Sequence, residues 1–322
     1  MTARVRVPAS SSNLGAGFDC IGVAVDRWLV ASVTPVAGSA ISIRRGGRLT
    51  AVSVAVDEDL LARGFRAAGG RGGMIDATSD IPVGCGLGSS AAAIVAGVLL
   101  ADAALELNLT RQQVVEIATA LEGHPDNVAP AVYGGAVLSV RTSAGLVTAP
   151  LTVAAGIELL LAVPPFPSDT KAARAALPRT LPHAEAVVAA SRAAALVQGL
   201  STGDGALLGA ALDDVLHVPF RRARIPGYYA VVLAAQKAGA FGATLSGAGS
   251  AILAIAPRER SAAVGAAMLA AWRAIGIEAE LIKCSGTVAG ATVTASPPAT
   301  HDVRRTTHGS ATHDSPVIKE LL

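Results

Sequence analysis

The segment that most constrains this chain is IPVGCGLGSSAAAIVAG, residues 81–97. A strand-like start, three alternate glycines, two serines and an alanine-rich run follow one another without a break. Gly84, Gly86 and Gly88 let the backbone adopt positive φ and let a ligand approach the main chain closely. Ser89 and Ser90 then precede and cap an expected helix over Ala91–Leu105. The first N–H groups of such a helix lack intrahelical partners and carry partial positive charge, which suits phosphate. The plainer reading is a tight strand-to-helix turn, yet three glycines and two serines exceed what a turn requires. The chain contains no Gly-Lys pair, so this is not a GxxxxGK[ST] loop, and the glycines are not spaced GxGxxG. The second absence speaks against a dinucleotide-dependent oxidoreductase.

At 322 residues and 52% hydrophobic, the chain has apolar mass for two domains. A net charge of +2 lacks the basic excess of a nucleic-acid binder, so no nucleic-acid partner is expected. Cys20, Cys85 and Cys284 are far apart and form no Cys-x-x-Cys pair, which argues against a disulfide framework or a structural zinc site. The uncharged stretch Ile81–Ala101 has a Gly-, Ser- and Pro-rich first half, leaving too short a helical part to span a membrane. No leader-like apolar run opens the sequence, and a cytoplasmic protein without a membrane partner is expected.

Val5 and Val7 between Arg4 and Arg6 predict a strand, followed by the polar turn SSSNLGAGFD and an extended apolar run over Ile21–Val33. Residues 41–45, 52–56 and 74–79 also read as strands, and 59–68 as a helix. Thr110 and Gln113 form a capping box for a helix ending near Glu122 at Gly123. From about 151 strands and helices alternate. Strands are expected at 157–163, 243–245, 251–255 and 280–284, and helices at 185–200, 206–212 and 258–275. Tyr228–Ala238 fits either type. The order suggests an α+β sandwich. After Ala295 the chain is polar and Pro/Ser/Thr-rich, so residues 296–322 read as a disordered tail holding His301, His308 and His313.

Three further segments carry candidate chemistry. Glu116 could offer a hard oxygen to Mg²⁺, or be an ordinary exposed helix residue. His124-Pro125-Asp126-Asn127 lies just past a helix end, where Asp126 could be a base or a cap and Asn127 a hydrogen-bonding group; Asp-Asn is equally a common turn pair. TLSGAGSAILAI, residues 244–255, reads as strand, glycine turn and strand: a plain hairpin, or a loop pressed by Gly247 and Gly249 against the phosphate segment.

Taken together these segments resemble the GHMP kinase family. GLGSSAA (86–92) is similar to its phosphate loop and LSGAGSA (245–251) to its C-terminal glycine motif. PASSSNLGAGFDCIGVAV (8–25) and HPDNVAPAVYGGAV (124–137) are most similar to the homoserine kinases of that family. The resemblance implies an α+β, two-domain fold. An N-terminal ATP-binding domain like ribosomal protein S5 domain 2 would span 1–150, and a ferredoxin-like C-terminal domain 151–295. It implies a kinase using ATP and Mg²⁺ with L-homoserine as its small-molecule substrate, on the route to threonine. Residues 82–92 (Pro82, Val83, Gly84, Cys85, Gly86, Leu87, Gly88, Ser89, Ser90, Ala91, Ala92) would hold ATP, with Ser90 and Glu116 near Mg²⁺. Asn13, Asp19, His124, Asn127, Arg174 and Arg221 would contact the substrate, the arginines gripping its carboxylate. Ser246, Gly247 and Gly249 would support the phosphate loop. Other family members place Asp where Asn127 stands, so no dedicated side-chain base is expected: Asn127 would orient the hydroxyl. A related kinase for threonine or mevalonate, or a non-catalytic nucleotide-binding regulator, are the alternatives, and a homodimer is compatible with the sequence.

Overall fold

A computed structural model of the protein describes residues 2–36 and 38–296. The alternating N-terminus forms β1 (Thr2–Asn13), antiparallel to the long β2 (Gly17–Pro35). Val5, Val7 and Ala9 point into the core while Arg4 and Arg6 face out, the period of two expected of a half-buried strand. β3 (Ile41–Gly47) follows, then α1 (Leu60–Ala67), whose N-terminus is capped by the Asp59 carboxylate, then β4 (Gly73–Ser79). The expected strand over 52–56 does not form. Those residues run as a largely exposed loop with no neighbouring strand, and Val52 and Val54 wall a cavity instead.

Next come α2 (Ser89–Leu105), α3 (Arg111–Glu122), α4 (Val128–Tyr133), β5 (Ala136–Thr142) and β6 (Gly145–Leu151). The Thr110–Gln113 capping box opens α3 as read from the sequence, and Gly123 ends it in the left-handed region. From Ala91 to Ala101 nearly every side chain of α2 is buried, so this helix is the central pillar of the first core rather than an amphipathic surface helix.

The second half comprises β7 (Ile157–Val163), α5 (Thr170–Ala175), α6 (His183–Thr202), α7 (Gly205–Leu212) and the one-turn α8 (Val218–Arg221). It continues with α9 (Tyr228–Lys237), β8 (Gly242–Leu245), β9 (Ile252–Pro257), α10 (Ser261–Arg273) and β10 (Glu280–Cys284). Tyr228–Lys237 thus resolves as helix. The second sheet has the order β10-β7-β9-β8. Leu159 and Leu161 of β7 enter the first core, with Leu196 and Leu200 of α6, while Leu160 and Ala162 enter a second core built on Met268 and Trp272. A strand covered on both faces explains the unbroken apolar run IELLLAV.

β11 (Thr292–Ser296) corrects the boundary expected at 295. It pairs antiparallel with β1 in the seven-stranded first sheet, Ala3 opposite Ala295. The chain therefore returns to the first sheet after β10, covering the β1 edge, which would otherwise present unpaired backbone groups. Ser296 belongs to this strand, and residues 297–322 of the expected tail lie outside the described residues.

Candidate functional site

The loop between β4 and α2 takes the left-handed φ values its glycines permit: +71° at Gly84, +80° at Gly86 and +62° at Gly88. A Cβ on Gly88 would strike Ser10 Oγ and lie 2.9 Å from Asn127 Oδ1; one on Gly86 would strike the Ser246 carbonyl. The glycines are thus required by close approach as well as by backbone angle. The expected serine cap is absent. Gly88 occupies the N-cap position of α2 with no side-chain cap, and the helix begins at Ser89 itself. Its opening N–H groups stay available to a ligand.

Neighbouring segments hold this loop from behind. Ser246 Oγ donates to the Gly86 carbonyl at 2.6 Å, and Ala251 N–H to the Cys85 carbonyl at 3.0 Å. Ser10 N–H donates to the Leu87 carbonyl at 3.1 Å, and Gly247 N–H to Ser12 O at 3.1 Å. The glycine turn that contains Gly247 and Gly249 therefore does press against the phosphate segment. Of the expected nucleotide-contacting residues, Val83, Gly84, Gly86, Gly88, Ser89 and Ser90 line the cavity. Leu87, Ala91 and Ala92 instead bury their side chains in the core. Ala92 also commits its N–H to the Gly88 carbonyl, so it has no group left for a ligand, whereas Ala91 retains its N–H. Pro82 is buried away from the cavity, and Cys85 turns its thiol toward the carbonyls of Val83, Pro164 and Phe166.

Glu116 requires correction. It is exposed on the outer face of α3, accepting from Gln112 Nε2 at 2.8 Å, and does not reach the cavity. The carboxylate beside Ser90 is Glu122, which accepts a short hydrogen bond from Ser90 Oγ. Six residues along a helix is about 9 Å and an incomplete second turn, so the two glutamates occupy different faces and different heights. Burial pushes the Glu122 carboxyl up from its ordinary range, partly offset by the Ser90 hydroxyl. The signal that could have found it is its place at the last residue of α3, immediately before Gly123-His124.

The other end of the cavity is charged. Asn13, Leu14 and Asp19 all hold positive φ (+73°, +46° and +57°), an uncommon strain for residues with side chains. Asn13 Oδ1 accepts from Asp19 N–H at 3.0 Å and Asn13 Nδ2 donates to the Gly247 carbonyl at 3.1 Å, which locks the turn. Arg174 on α5 donates twice to Asp19, at 2.9 and 2.8 Å. Burial raises the Asp19 pKa, but the Arg174 hydrogen bonds and charge outweigh it and hold the carboxyl below its usual range. Arg221, at the end of α8, is buried beside them.

His124 Nδ1 lies 2.5 Å from Asp126 Oδ1. Burial lowers the imidazole pKa, yet the Asp126 hydrogen bond and the carboxylates of Asp126, Glu122 and Asp19 overcome it and raise the net value. Asn127 is fixed at both ends of its amide. Ser10 Oγ donates to Oδ1 at 2.9 Å and Nδ2 donates to Ser12 Oγ at 3.0 Å. Ser10 and Ser12 are supporting groups the sequence did not single out, and Asp126, read as a base or a cap, is the partner of His124.

Asp19, Glu122, His124, Asn127, Arg174 and Arg221 open on one cavity of about 770 Å³, a size suited to a small ligand or cofactor. Leu49, Val52, Val54, Leu61 and Ala93 give part of its wall an apolar character. The arrangement unites an uncapped helix start, two hard oxygens and a pocket of both charge signs.

A fold and a cavity of this kind define a small-molecule phosphotransferase site. The family model for the GHMP kinase N-terminal domain matches residues 53–135, and that for the GHMP kinase C-terminal domain matches residues 193–274. The chain belongs to the GHMP kinase family. Within it, the chain is 41% identical to a homoserine kinase of Trichormus variabilis over 85% of its length and 93% of that protein. It is 43% identical to a homoserine kinase of Gloeobacter violaceus over 83% of its length and 92% of that protein. Its structure superposes on the crystal structure of homoserine kinase from Cytophaga hutchinsonii with a TM-score of 0.82 at 30% identity, covering 91% of this chain and 97% of that one. No helix among the described residues is long and apolar enough to cross a membrane.

Proposed function

We propose that this protein transfers the γ-phosphoryl group of ATP to the side-chain hydroxyl of L-homoserine, forming O-phospho-L-homoserine and ADP. One observation carries the reading: a single cavity joins the uncapped start of α2 to a charged end where Asp19 and two arginines meet. A zwitterionic amino acid needs both signs of partner, which mevalonate does not. Asp19 suits its ammonium, and Arg174 and Arg221 suit its carboxylate.

Ser90 Oγ and the Glu122 carboxylate lie together at the cavity, two hard oxygens of the kind Mg²⁺ takes alongside nucleotide phosphates. Charge neutralisation at the phosphoryl oxygens is the chemistry Mg²⁺ supplies when held there. The free N–H groups at the start of α2 receive the same oxygens from the protein side. In the transfer, the substrate oxygen bonds to the γ-phosphorus, the bridging oxygen–phosphorus bond breaks, and ADP leaves. An amide takes no proton at neutral pH, so Asn127 orients the hydroxyl with the N–H left over from its bond to Ser12. The hydroxyl proton then passes to the transferred phosphoryl group. Catalysis rests on positioning and charge stabilisation.

The test is Mg·ATP turnover against L-homoserine, L-threonine, L-serine and mevalonate, with the product identified by phosphorus NMR. L-Homoserine is expected to give the highest kcat/KM. ATP binding without stimulated turnover by any of the four would sink the kinase reading in favour of a regulator.

A further inference from the structure

We infer that His217 is a positioning residue for substrate recognition, its bare Nδ1 orienting the guanidinium of Arg221. The inference rests on the reading that Arg221 holds the substrate carboxylate. His217 is wholly buried and precedes α8, placing it four residues before Arg221 and on the same helical face. Its Nε2 lies 3.2 Å from the Gly15 carbonyl, and its Nδ1 lies 3.3 Å from Arg221 Nη1. A carbonyl only accepts and a guanidinium only donates. Nε2 therefore carries the hydrogen and Nδ1 is bare: the partners select one neutral tautomer. Protonation would set an N–H at Nδ1 against an N–H of Arg221.

Two further contacts fix the ring. Its face stacks on Phe18, with centroids 5.0 Å apart and planes 19° apart, and Arg221 sits 5.2 Å over the same Phe18 ring. Asp214, the nearest carboxylate, already accepts from the backbone N–H groups of Leu216, His217 and Val218 at 2.9, 2.7 and 2.8 Å. It anchors the start of α8. Arg221 donates from Nε to the Ala173 carbonyl at 3.2 Å and from Nη1 to the Gly247 carbonyl at 3.4 Å. Its Nη2 donates to no described residue and is left for a carboxylate. The His217 acceptor sets the plane of that guanidinium, while the opposite nitrogen's bond to Gly15 fixes the tautomer that leaves Nδ1 an acceptor.

The test uses His217→Gln, which retains a donor near the Nε2 position but loses the acceptor for Arg221, and His217→Asn, which retains an acceptor near Nδ1. His217→Gln is expected to raise KM for L-homoserine about tenfold or more, the scale of one hydrogen bond to a charged group, with KM for ATP changed less than about twofold. His217→Asn is expected to stay within about threefold of the parent. Turnover of 3-aminopropan-1-ol, the substrate without its carboxylate, is expected to be weak and indifferent to His217→Gln. Equal KM increases in both variants, an equal rise in KM for ATP, or an unchanged KM for L-homoserine in His217→Gln would overturn the inference. If His217→Gln does not fold, a tenfold KM increase in His217→Asn still overturns it. Arg221→Met separates the two readings: an unchanged KM for L-homoserine there means that Arg221 does not hold the carboxylate, whatever His217 does.

Discussion

Arg174 and Asp19 are joined by two parallel hydrogen bonds although 155 residues separate them in the chain. They bridge α5 to the start of β2 and occupy the position proposed for the substrate's two charges. The side chains are 44% and 33% exposed, so solvent screens the pair and its contribution to stability is small, about 0–1 kcal/mol. Asp19→Asn is therefore expected to leave Tm within a few degrees while raising KM for L-homoserine by one to two orders of magnitude, roughly the cost of an unpaired ammonium. A large Tm loss with unchanged KM would make the pair a structural clasp.

Ser90 and Glu122 make a second prediction. Glu122→Gln is expected to weaken Mg·ATP binding at least tenfold, whereas Glu116→Gln on the exposed face of α3 leaves it unchanged. Isothermal titration with a non-hydrolysable ATP analogue and Mg²⁺ checks this. The Glu122 pKa is raised by burial, so its ionisation opposes folding: that cost is absent below the ordinary carboxylate pKa and full above the raised one. Mg²⁺-dependent affinity is accordingly expected to fall as pH drops through the raised value. Equal effects of the two substitutions would return Glu116 to the site.

Gly88→Ala combines a left-handed φ of +62° with a Cβ placed against Ser10 Oγ and 2.9 Å from Asn127 Oδ1. Backbone strain and overpacking together cost about 2–5 kcal/mol. Chemical denaturation should record this loss together with reduced ATP affinity. A variant of parental stability that binds ATP normally would show that the loop does not need the close approach.

His124 and Asp126 predict a pH profile. The Asp126 hydrogen bond and charge overcome burial and raise the imidazole pKa, keeping His124 protonated to higher pH. If the cation assists the transferring phosphoryl group, kcat/KM falls as pH rises through that ionisation, and Asp126→Asn moves the fall to lower pH. A rate that instead rises with pH along this limb would identify His124 as a base.

His217 predicts stability against acid. Burial pulls its pKa down to about 4, against roughly 6.5 in the unfolded chain. The unfolded state binds the extra proton first, so the stability tied to the neutral ring is present above pH about 6.5 and is lost as pH falls toward about 4. His217→Gln is expected to flatten the stability–pH curve across that window. An unchanged slope would assign the acid loss to other groups.

Local patterns in the sequence determined most of the elements. Alternation gave β1 and β4 their faces, Thr110 and Gln113 opened α3, and alternate glycines before an apolar run marked the loop ahead of α2. Such signals act over a few residues, so no partner elsewhere in the chain is needed to read them. Residues 52–56 alternate equally well yet form no strand, because pairing requires a neighbour that only the assembled sheet supplies. The same holds for β11, whose return to β1 spans nearly the whole chain. The charged residues divide along this line. Asp19, His124, Arg174 and Arg221 lie in legible motifs and do reach the cavity, whereas the choice between Glu116 and Glu122 turned on which face of α3 meets Ser90. Packing of α3 against α2 decides that face, and a helix's own sequence leaves the identity of its neighbour open. His217 shows the limit most plainly: its tautomer follows from a carbonyl 202 residues away and a guanidinium four residues on, a juxtaposition that exists only in the folded chain.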